Sequence, residues 1–503
     1  MREVCVWPGR GWGKLSTMTD IEQAVRHAWS VSATQHRIPI TDPATGAELF
    51  AAPVASDAEV ASAVKAARAA APDWARTPPA ERAAAVSRAA TAVAERADDL
   101  ARLTTLEMGK PLGDARGGVE AGVGALRQYA ELGPLHRGRS LQGGPDATDL
   151  MVHQPRGVVA AITPWNDPVA VSCGLLGAAL VTGNTVVYKP SERTPGTGWL
   201  LAQIIQEHLP PDVLTLLLGD GATGAALVGE PVDVVAHVGS SVTGRAIAAA
   251  ALDTASGSAG AGAPGVGAKV LLENGGNDAL IVDAGVDPRW AAAQAALGAF
   301  ANAGQVCVSV ERIYVHEAVA EAFVEALVAR AAALRVGSGL AADTELGPLV
   351  DTRLRDSVHA QVSAAAAAGA TVRCGGDVPD APGSFYPATV LTGCTDEMAV
   401  MREETFGPVA PVAVVSSFDE ALARASRSAY GLAATVLTAD MGHAQRAWRD
   451  LPVGTVKING VFGGAPGGAA QPRAGSGQGF GYGPELLDEL TYTKVVHLAP
   501  PGP

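Results

Sequence analysis

The chain has 503 residues, of which 48% are hydrophobic and 17% charged, a composition typical of a globular protein with two or three domains. Its formal net charge of −14 argues against a nucleic-acid partner, because an acidic surface repels phosphate backbones. No apolar run reaches the length of a bilayer crossing. The five cysteines lack paired spacing, so they indicate neither disulfides nor a metal site and fit a reducing, cytoplasmic location.

The sequence of the N-terminal third indicates helices. Residues 1–34 contain no apolar core of signal-peptide type, and we expect an unstructured N-terminal extension there. Residues 57–100 predict two helices, the first capped by Ser56 or Asp57 and the second beginning at the prolines of "TPPAERAAAV".

From about residue 152, short β-rich runs alternate with helical patterns. The runs are "GVVAAITPW", "NTVVYKP", "DVLTLLLG", "DVVAHVGS", "AKVLLE" and "NDALIVD". This alternation predicts βαβ units and a buried parallel sheet. A second series after Cys307 predicts a second α/β domain. The glycine-rich stretches 255–268 and 462–483 are predicted to be loops, and "YTKVVHL" a strand.

Three glycine-containing or charged turns follow predicted strands and favour a nucleotide site. Lys189 and Glu192 of "KPSE" stand where parallel sheets bind ligands. A carboxylate there accepts from ribose hydroxyls and repels a 2′-phosphate. The turns 239–244 ("GSSVTG") and 218–224 ("LGDGATG") let backbone N–H groups approach a pyrophosphate. Taken singly, each is equally well explained as a tight turn or a solvated loop.

Three further residues suggest acyl chemistry, and each has a plainer explanation. Cys307 in "ANAGQVCV" is either a reactive thiol or a small buried hydrophobe. Glu273 ends an apolar strand, where it is either a general base with a raised pKa or a carboxylate facing water. Asn166 of "TPWNDP" is either an oxyanion donor or a turn former.

The motifs taken together resemble the aldehyde dehydrogenase superfamily, and the resemblance extends from about residue 35 to 499. The motifs in order are "TPWNDP", "GNTVVYKPSE", "GSSVTG", "LENGG", "NAGQVC", "EETFGPV" and "YGLAATV". Their spacings fit as well, with 34 residues between Glu273 and Cys307 and 97 between Cys307 and Glu404.

The resemblance implies an α/β fold with a Rossmann-like NAD-binding domain, an α/β catalytic domain and a small β segment that pairs subunits. The implied boundaries are 1–34 for the extension, 35–135 with 156–274 for the NAD-binding domain, 275–465 for the catalytic domain, and 136–155 with 484–503 for the oligomerisation segment. It also implies a homodimer or homotetramer.

The resemblance further implies a covalent mechanism. Cys307 attacks the aldehyde, Asn166 holds the oxyanion, and Glu273 activates the water that hydrolyses the thioester. NAD is the implied cofactor, in preference to NADP. The residues implied to bind it are Thr163, Trp165, Lys189, Glu192, Gly221, Gly239, Ser240, Gly244, Glu404 and Phe406.

The chain departs from the family pattern at several positions. Gly174 and Leu175 stand where the family often has an aromatic residue and a lysine, and Asn277 replaces the lysine that often follows "ELGG". Val171, Cys173 and Gly174 are the expected tunnel positions. Two alternatives to a non-acylating dehydrogenase are a CoA-acylating relative, against which Glu273 argues, and a catalytically weak homologue with a structural or binding role.

Overall fold

The computed structural model describes residues 18–30, 36–253, 267–463 and 468–501. Its helices, numbered in chain order, are α1 Met18–Ser30, α2 Asp57–Arg76, α3 Pro79–Glu95, α4 Ala97–Met108, α5 Leu112–Leu132, α6 Pro168–Val181, α7 Pro195–Gln206, α8 Gly221–Gly229, α9 Ser241–Asp253, α10 Pro288–Phe300, α11 Glu317–Ala333, α12 Thr352–Ala367, α13 Ala399–Arg402, α14 Phe418–Ala425, α15 Met441–Asp450 and α16 Glu485–Glu489.

The strands are numbered in the same way. They are β1 Arg37–Thr41, β2 Glu48–Pro53, β3 Arg139–Leu141, β4 Thr148–Pro155, β5 Val158–Ile162, β6 Thr185–Lys189, β7 Leu214–Leu216, β8 Val234–Val238, β9 Lys269–Glu273, β10 Asp278–Val282, β11 Val310–His316, β12 Thr371–Cys374, β13 Thr389–Thr392, β14 Val409–Val415, β15 Tyr430–Gly431, β16 Ala433–Leu437, β17 Thr455–Ile458, β18 Arg473–Ala474, β19 Gly477–Gln478 and β20 Thr491–Leu498.

The first sheet has six strands in the order β19-β9-β8-β5-β6-β7. Strands β5 to β9 are parallel, and their residues are mostly buried, as expected for a sheet covered by helices on both faces. The chain runs outward from β5 through β6 and β7, then returns to place β8 on the other side of β5. This change of direction between β5 and β8 is the point where doubly wound sheets bind ligands, beyond the carboxyl ends of the strands.

The second sheet has seven strands in the order β12-β13-β14-β11-β10-β16-β17. All neighbouring pairs are parallel except β12 with β13. A third sheet joins β3, β4 and β20 in antiparallel register, with Thr491 opposite Pro155. The segments predicted to form the small β element thus lie in one sheet. The α/β fold with parallel sheets is confirmed.

One of the helical predictions needs correction, and one is confirmed. Residues 57–100 form parts of three helices, because the chain breaks at Arg96 (φ −107°, ψ 19°) between α3 and α4. The predicted cap at Ser56 is confirmed: its hydroxyl accepts from the Glu59 amide, and the Glu59 carboxylate accepts from the Ser56 amide at 2.8 Å. This reciprocal pair is a capping box.

The prediction of an unstructured N-terminal extension is wrong for residues 18–30. These residues form α1, whose Val25 and Trp29 are buried in the same core as α3 to α7. The Trp29 ring meets Phe50 edge-on at 5.1 Å. Residues 1–17 and 31–34 lie outside the described part of the chain.

The two glycine-rich stretches differ. Most of 255–268 falls outside the described residues. The stretch 462–483 was predicted to be a surface loop, but its described part contains β18 and β19, and β19 extends the first sheet by pairing with β9. Across the described residues, none of the helices combines the length and hydropathy needed to span a bilayer.

Candidate active site

A loop in left-handed conformation precedes Cys307. Asn302, Ala303 and Gly304 have φ angles of 51°, 56° and 73°, a region that alanine rarely adopts and that costs energy to hold. A side chain on Gly304 would collide with the backbone of Gly407. Close packing therefore fixes the conformation of the loop, and the loop places Cys307 just before β11.

Gln305 holds this loop together and ties it to Asn166. The buried Gln305 carboxamide donates to the Asn302 carbonyl at 2.9 Å and accepts from the Val350 amide at 2.9 Å. The Gln305 carbonyl accepts from Asn166 Nδ2 at 2.9 Å. One side-chain N–H of Asn166 thus donates to the backbone of Gln305, two residues before Cys307. The second N–H of the same carboxamide can donate to an oxyanion.

Glu273 ends β9 and contacts the C-terminal segment. Its Oε1 accepts from the Gly481 amide at 3.0 Å. A side chain at Gly481 would collide with the Glu273 side chain, so the observed carboxyl position requires a glycine there. Burial raises the Glu273 pKa to about 8, against the effect of the Gly481 hydrogen bond. This pKa suits a general base near neutral pH.

Charged groups surround the Cys307 thiol. Burial raises its pKa to about 12, and the carboxyls of Asp278, Glu273 and Glu404 raise it further, while Lys457 acts in the opposite direction. Burial likewise raises the pKa of Asp278 well above its ordinary value and lowers that of Lys457. Burial and the neighbouring carboxyls thus favour the protonated thiol, and an added positive charge would favour the thiolate.

Glu404 and Phe406 reach the site from the loop before β14. Glu404 Oε1 accepts from the Gly276 amide at 2.9 Å, and burial, followed by the charge of Glu311, raises its pKa to about 8. Glu311 accepts from the Phe406 amide at 2.8 Å and so holds that residue at φ 53°. The Phe406 ring then meets Trp165 edge-on at 5.5 Å.

Lys189 and Glu192 lie at the carboxyl end of β6. Lys189 is buried at 3% exposure, and its Nζ lies 3.9 Å from the Glu192 carboxylate. Burial lowers the Lys189 pKa, while Glu192 and Asp220 raise it. Asp220 caps α8 just before Gly221. The Thr163 amide donates to the Lys189 carbonyl at 3.1 Å, so the ends of β5 and β6 meet.

The turn after β8 contains the remaining predicted residues. The Ser240 hydroxyl accepts from the Thr243 amide at 3.1 Å at the start of α9. The two glycines are explained by close packing: a Cβ at Gly239 would lie 2.6 Å from the His237 ring, and one at Gly244 would collide with Asn274. The first turn of a helix leaves backbone N–H groups free for an anion.

The structure thus forms two clusters from the predicted residues. The thiol cluster contains Cys307, Glu273, Asn166, Glu404, Phe406 and Trp165, and the strand-end cluster contains Thr163, Lys189, Glu192, Gly221, Gly239, Ser240 and Gly244. Sequence reasoning missed Asp278, Lys457, Gln305, Glu311 and Gly481. Charged residues at the start or middle of apolar strands, as in "NDALIV" and "TVKI", were the available signal for the first two.

The expected tunnel position at Cys173 needs correction. Cys173 is fully buried in α6, and its Sγ lies 3.1 Å from where a Cβ on Gly122 of α5 would be. It packs between two helices and does not line an open site.

A doubly wound sheet with polar strand ends, joined to a second α/β unit that holds a thiol among carboxyls, is typical of an enzyme that binds a nucleotide beside a reactive thiol. The model of the aldehyde dehydrogenase family matches residues 29–496. The chain belongs to this family.

Its relatives have several substrates in their names. The chain is 36% identical over 483 residues to an aspartate-semialdehyde dehydrogenase (non-phosphorylating) of Halomonas elongata, covering 94% of each protein. It is 38% identical over 360 residues to a betaine aldehyde dehydrogenase of Cereibacter sphaeroides, covering 71% of this chain and 72% of that one.

Solved structures agree closely in fold. Betaine aldehyde dehydrogenase of Staphylococcus aureus in complex with NAD+ superimposes with a TM-score of 0.89 at 30% identity, covering 95% of this chain and 97% of that one. An NADP-dependent enzyme of E. coli gives 0.87 at 32% identity, covering 92% and 95%. Dependence on NAD(P) and oxidation of aldehydes are therefore supported for this chain as general properties.

Proposed function

We propose that the chain oxidises an aldehyde to the free carboxylic acid with NAD as the preferred cofactor, through a thioester on Cys307. The observation that carries the proposal is the thiol cluster: a half-buried cysteine, a carboxamide tied to its loop, and a carboxyl with a pKa raised to about 8. A free acid, rather than an acyl-CoA, follows from the presence of Glu273 as a base for water.

The residues of the strand-end cluster fit a dinucleotide. Lys189 Nζ donates within the protein to the adjacent Pro190 carbonyl at 3.3 Å, and its ammonium carries three donors. Glu192 can accept from ribose hydroxyls, and its charge disfavours a 2′-phosphate. When bound, an oxidised nicotinamide would supply the hydride acceptor and a positive charge near the thiol.

The chain's own residues divide the chemistry. The Cys307 thiolate forms a bond to the aldehyde carbon, and Asn166 Nδ2 donates to the resulting oxyanion. After oxidation to the thioester, a Glu273 carboxylate oxygen takes a proton from water as that water attacks the acyl carbon. The carbon–sulfur bond then breaks, and Cys307 leaves as the thiolate.

The third sheet supports a homodimer or homotetramer. Its edge strand β20 carries exposed apolar residues, such as Val495 at 65% exposure, which a second subunit could cover. The free cysteines of the described residues are in keeping with a cytoplasmic location.

An aldehyde panel tests the proposal. Because relatives are named for both an acidic semialdehyde and a quaternary-ammonium aldehyde, the panel should contain both classes and neutral aldehydes, each with NAD and NADP, with and without CoA. We expect reduced cofactor and free acid in equal amounts, independent of CoA. Acyl-CoA as the product would favour the acylating alternative, and no oxidation of any aldehyde would favour the non-catalytic one.

A further inference from the structure

A cluster of two histidines and an aspartate lies away from the thiol cluster and the strand-end cluster. His136 follows the short 3-10 helix after α5, His153 belongs to β4 of the third sheet, and Asp488 belongs to α16. In the residues that the structure describes, one ligand atom from each lies within 4.8 Å of the others. The cluster therefore joins a helix end, a sheet and a second helix.

The three side chains already contact one another. His136 Nε2 lies 2.8 Å from Asp488 Oδ1, and the two imidazole rings stack at 4.1 Å with an interplanar angle of 23°. Ligand atoms of a tetrahedral zinc site lie roughly 3.3 Å apart, given bonds of about 2.0–2.1 Å. Because the lone pairs of stacked imidazoles run nearly parallel, one ring must rotate and the ligand atoms must approach from within 4.8 Å to that spacing for all three to bind one ion.

Two observations show that the cluster can accept a ligand. His153 Nδ1 is buried and has no hydrogen-bond partner among the described residues, which is costly for a polar atom. His136 and His153 also line a cavity of about 240 Å³, which has room for water in the remaining coordination positions, since one water occupies about 30 Å³.

The two arginines of the cavity wall bind other groups, so the histidines are the side chains in that wall that can bind a metal ion. Arg82 donates to the carbonyls of Val181 and Thr77, and Arg76 pairs with Asp73. Both guanidinium groups are thus engaged away from the cluster, whereas the histidine nitrogens and the carboxylate oxygens can donate lone pairs. Two imidazoles and one carboxylate suit zinc and related transition metals better than magnesium or calcium.

We propose that His136, His153 and Asp488 bind one zinc ion, with water completing the tetrahedron. The ion links the end of α5 and the third sheet to α16, the helix that leads directly into β20. It holds the third sheet against the helices that cover the first sheet.

Metal titration of the chelator-treated, full-length protein tests this proposal. Zinc binding is measured by calorimetry, and cobalt is used as a spectroscopic substitute. We expect one zinc per chain, a higher thermal unfolding midpoint with zinc, and a cobalt d–d spectrum without the near-ultraviolet sulfur-to-metal band that binding to cysteine would produce.

Two variants and one control locate the ion. H153F keeps an aromatic ring at residue 153 to stack on His136 but removes the imidazole nitrogens. D488N removes the charge of an exposed side chain, so this variant should fold normally. Each should raise the zinc Kd at least about 10-fold, the loss typical even of second-shell changes. The control, H497N, alters a His–Asp pair (2.6 Å from Asp149) on the same sheet and should leave the Kd unchanged.

Absence of stoichiometric zinc binding in the wild type would overturn the proposal. So would a Kd that D488N and H153F leave unchanged, or a cobalt spectrum dominated by the sulfur band.

Discussion

Charged residues are arranged differently at the carboxyl end of the first sheet and in the thiol cluster beside the second sheet. At the first, Lys189 is placed between two carboxylates, Glu192 and Asp220, and its neighbours are glycine turns and a helix N-terminus. At the second, Cys307 is surrounded by carboxyls whose pKa values burial has raised, Glu273 to about 8 among them.

The difference separates binding from chemistry. Paired charges at strand ends can bind a ligand through hydrogen bonds and charge, whereas carboxyls with pKa values near neutrality can also take and release protons. A change in the strand-end cluster should therefore alter cofactor choice, and a change in the thiol cluster should alter individual reaction steps.

Removal of the thiol should abolish oxidation. C307A lacks the nucleophile, so kcat should fall at least about 10⁴-fold, while NAD binding, measured by calorimetry, should change little because the side chain is small. The control is C394A, which changes a cysteine buried in the hydrophobic core around the second sheet. Turnover of C307A within a few-fold of wild type would show that another group is the nucleophile.

Removal of the base should separate the half-reactions. E273Q should release about one reduced cofactor per chain in a burst and then turn over slowly, with hydrolysis slowed by about 10²–10⁴-fold. Stopped-flow absorbance distinguishes the two phases. Loss of the burst itself would assign Glu273 to activation of Cys307, and hydrolysis at the wild-type rate would remove it from the mechanism.

A methyl group at residue 481 should displace the base without removing it. G481A forces the Glu273 side chain from its hydrogen bond to the residue 481 amide, and displacement of a catalytic group by about 1 Å can cost up to about 10²-fold. We expect slower hydrolysis with the burst retained. G124A, at a helix glycine with open space around it, should behave as wild type; equal rates for both variants would show that the observed Glu273 position is not the working one.

Neutralisation of Glu192 should relax cofactor choice. E192Q removes a like charge from the ribose site and should raise kcat/KM for NADP by about 10-fold while leaving kcat with NAD nearly unchanged. E207Q, at an exposed position near the end of α7, controls for net charge. Equal kcat/KM for NAD and NADP in the wild type would contradict the proposed role.

The pH profile should show the smallest but most specific effect. Only the ionised carboxylate of Glu273 can accept a proton, so hydrolysis of the acyl-enzyme should speed up as the pH rises and reach half its maximum near pH 8. The inflection should be absent in E273Q. A rate that falls as the pH rises through this range would have the wrong sign.

The two regions also differ in how well the sequence predicts them. The strands that end at Lys189 and Glu273 are apolar runs, so local periodicity reveals both the strands and their ends. The contact between Glu273 and Gly481 joins residues 208 positions apart, and no local pattern predicts it. The packing of α1 was not predicted, because Arg26 and His27 interrupt the apolar spacing between Val25 and Trp29.

The central claim is that one thiol carries the acyl group and one carboxyl releases it, and intact-protein mass spectrometry tests this most directly. E273Q is mixed with NAD and an aldehyde that the panel has identified as a substrate, then quenched in acid after the burst. We expect a mass increase equal to one acyl group per chain, mapped by peptide digestion to Cys307 and absent from the double variant with C307A. No adduct despite a full burst, or an adduct on another residue, would contradict it.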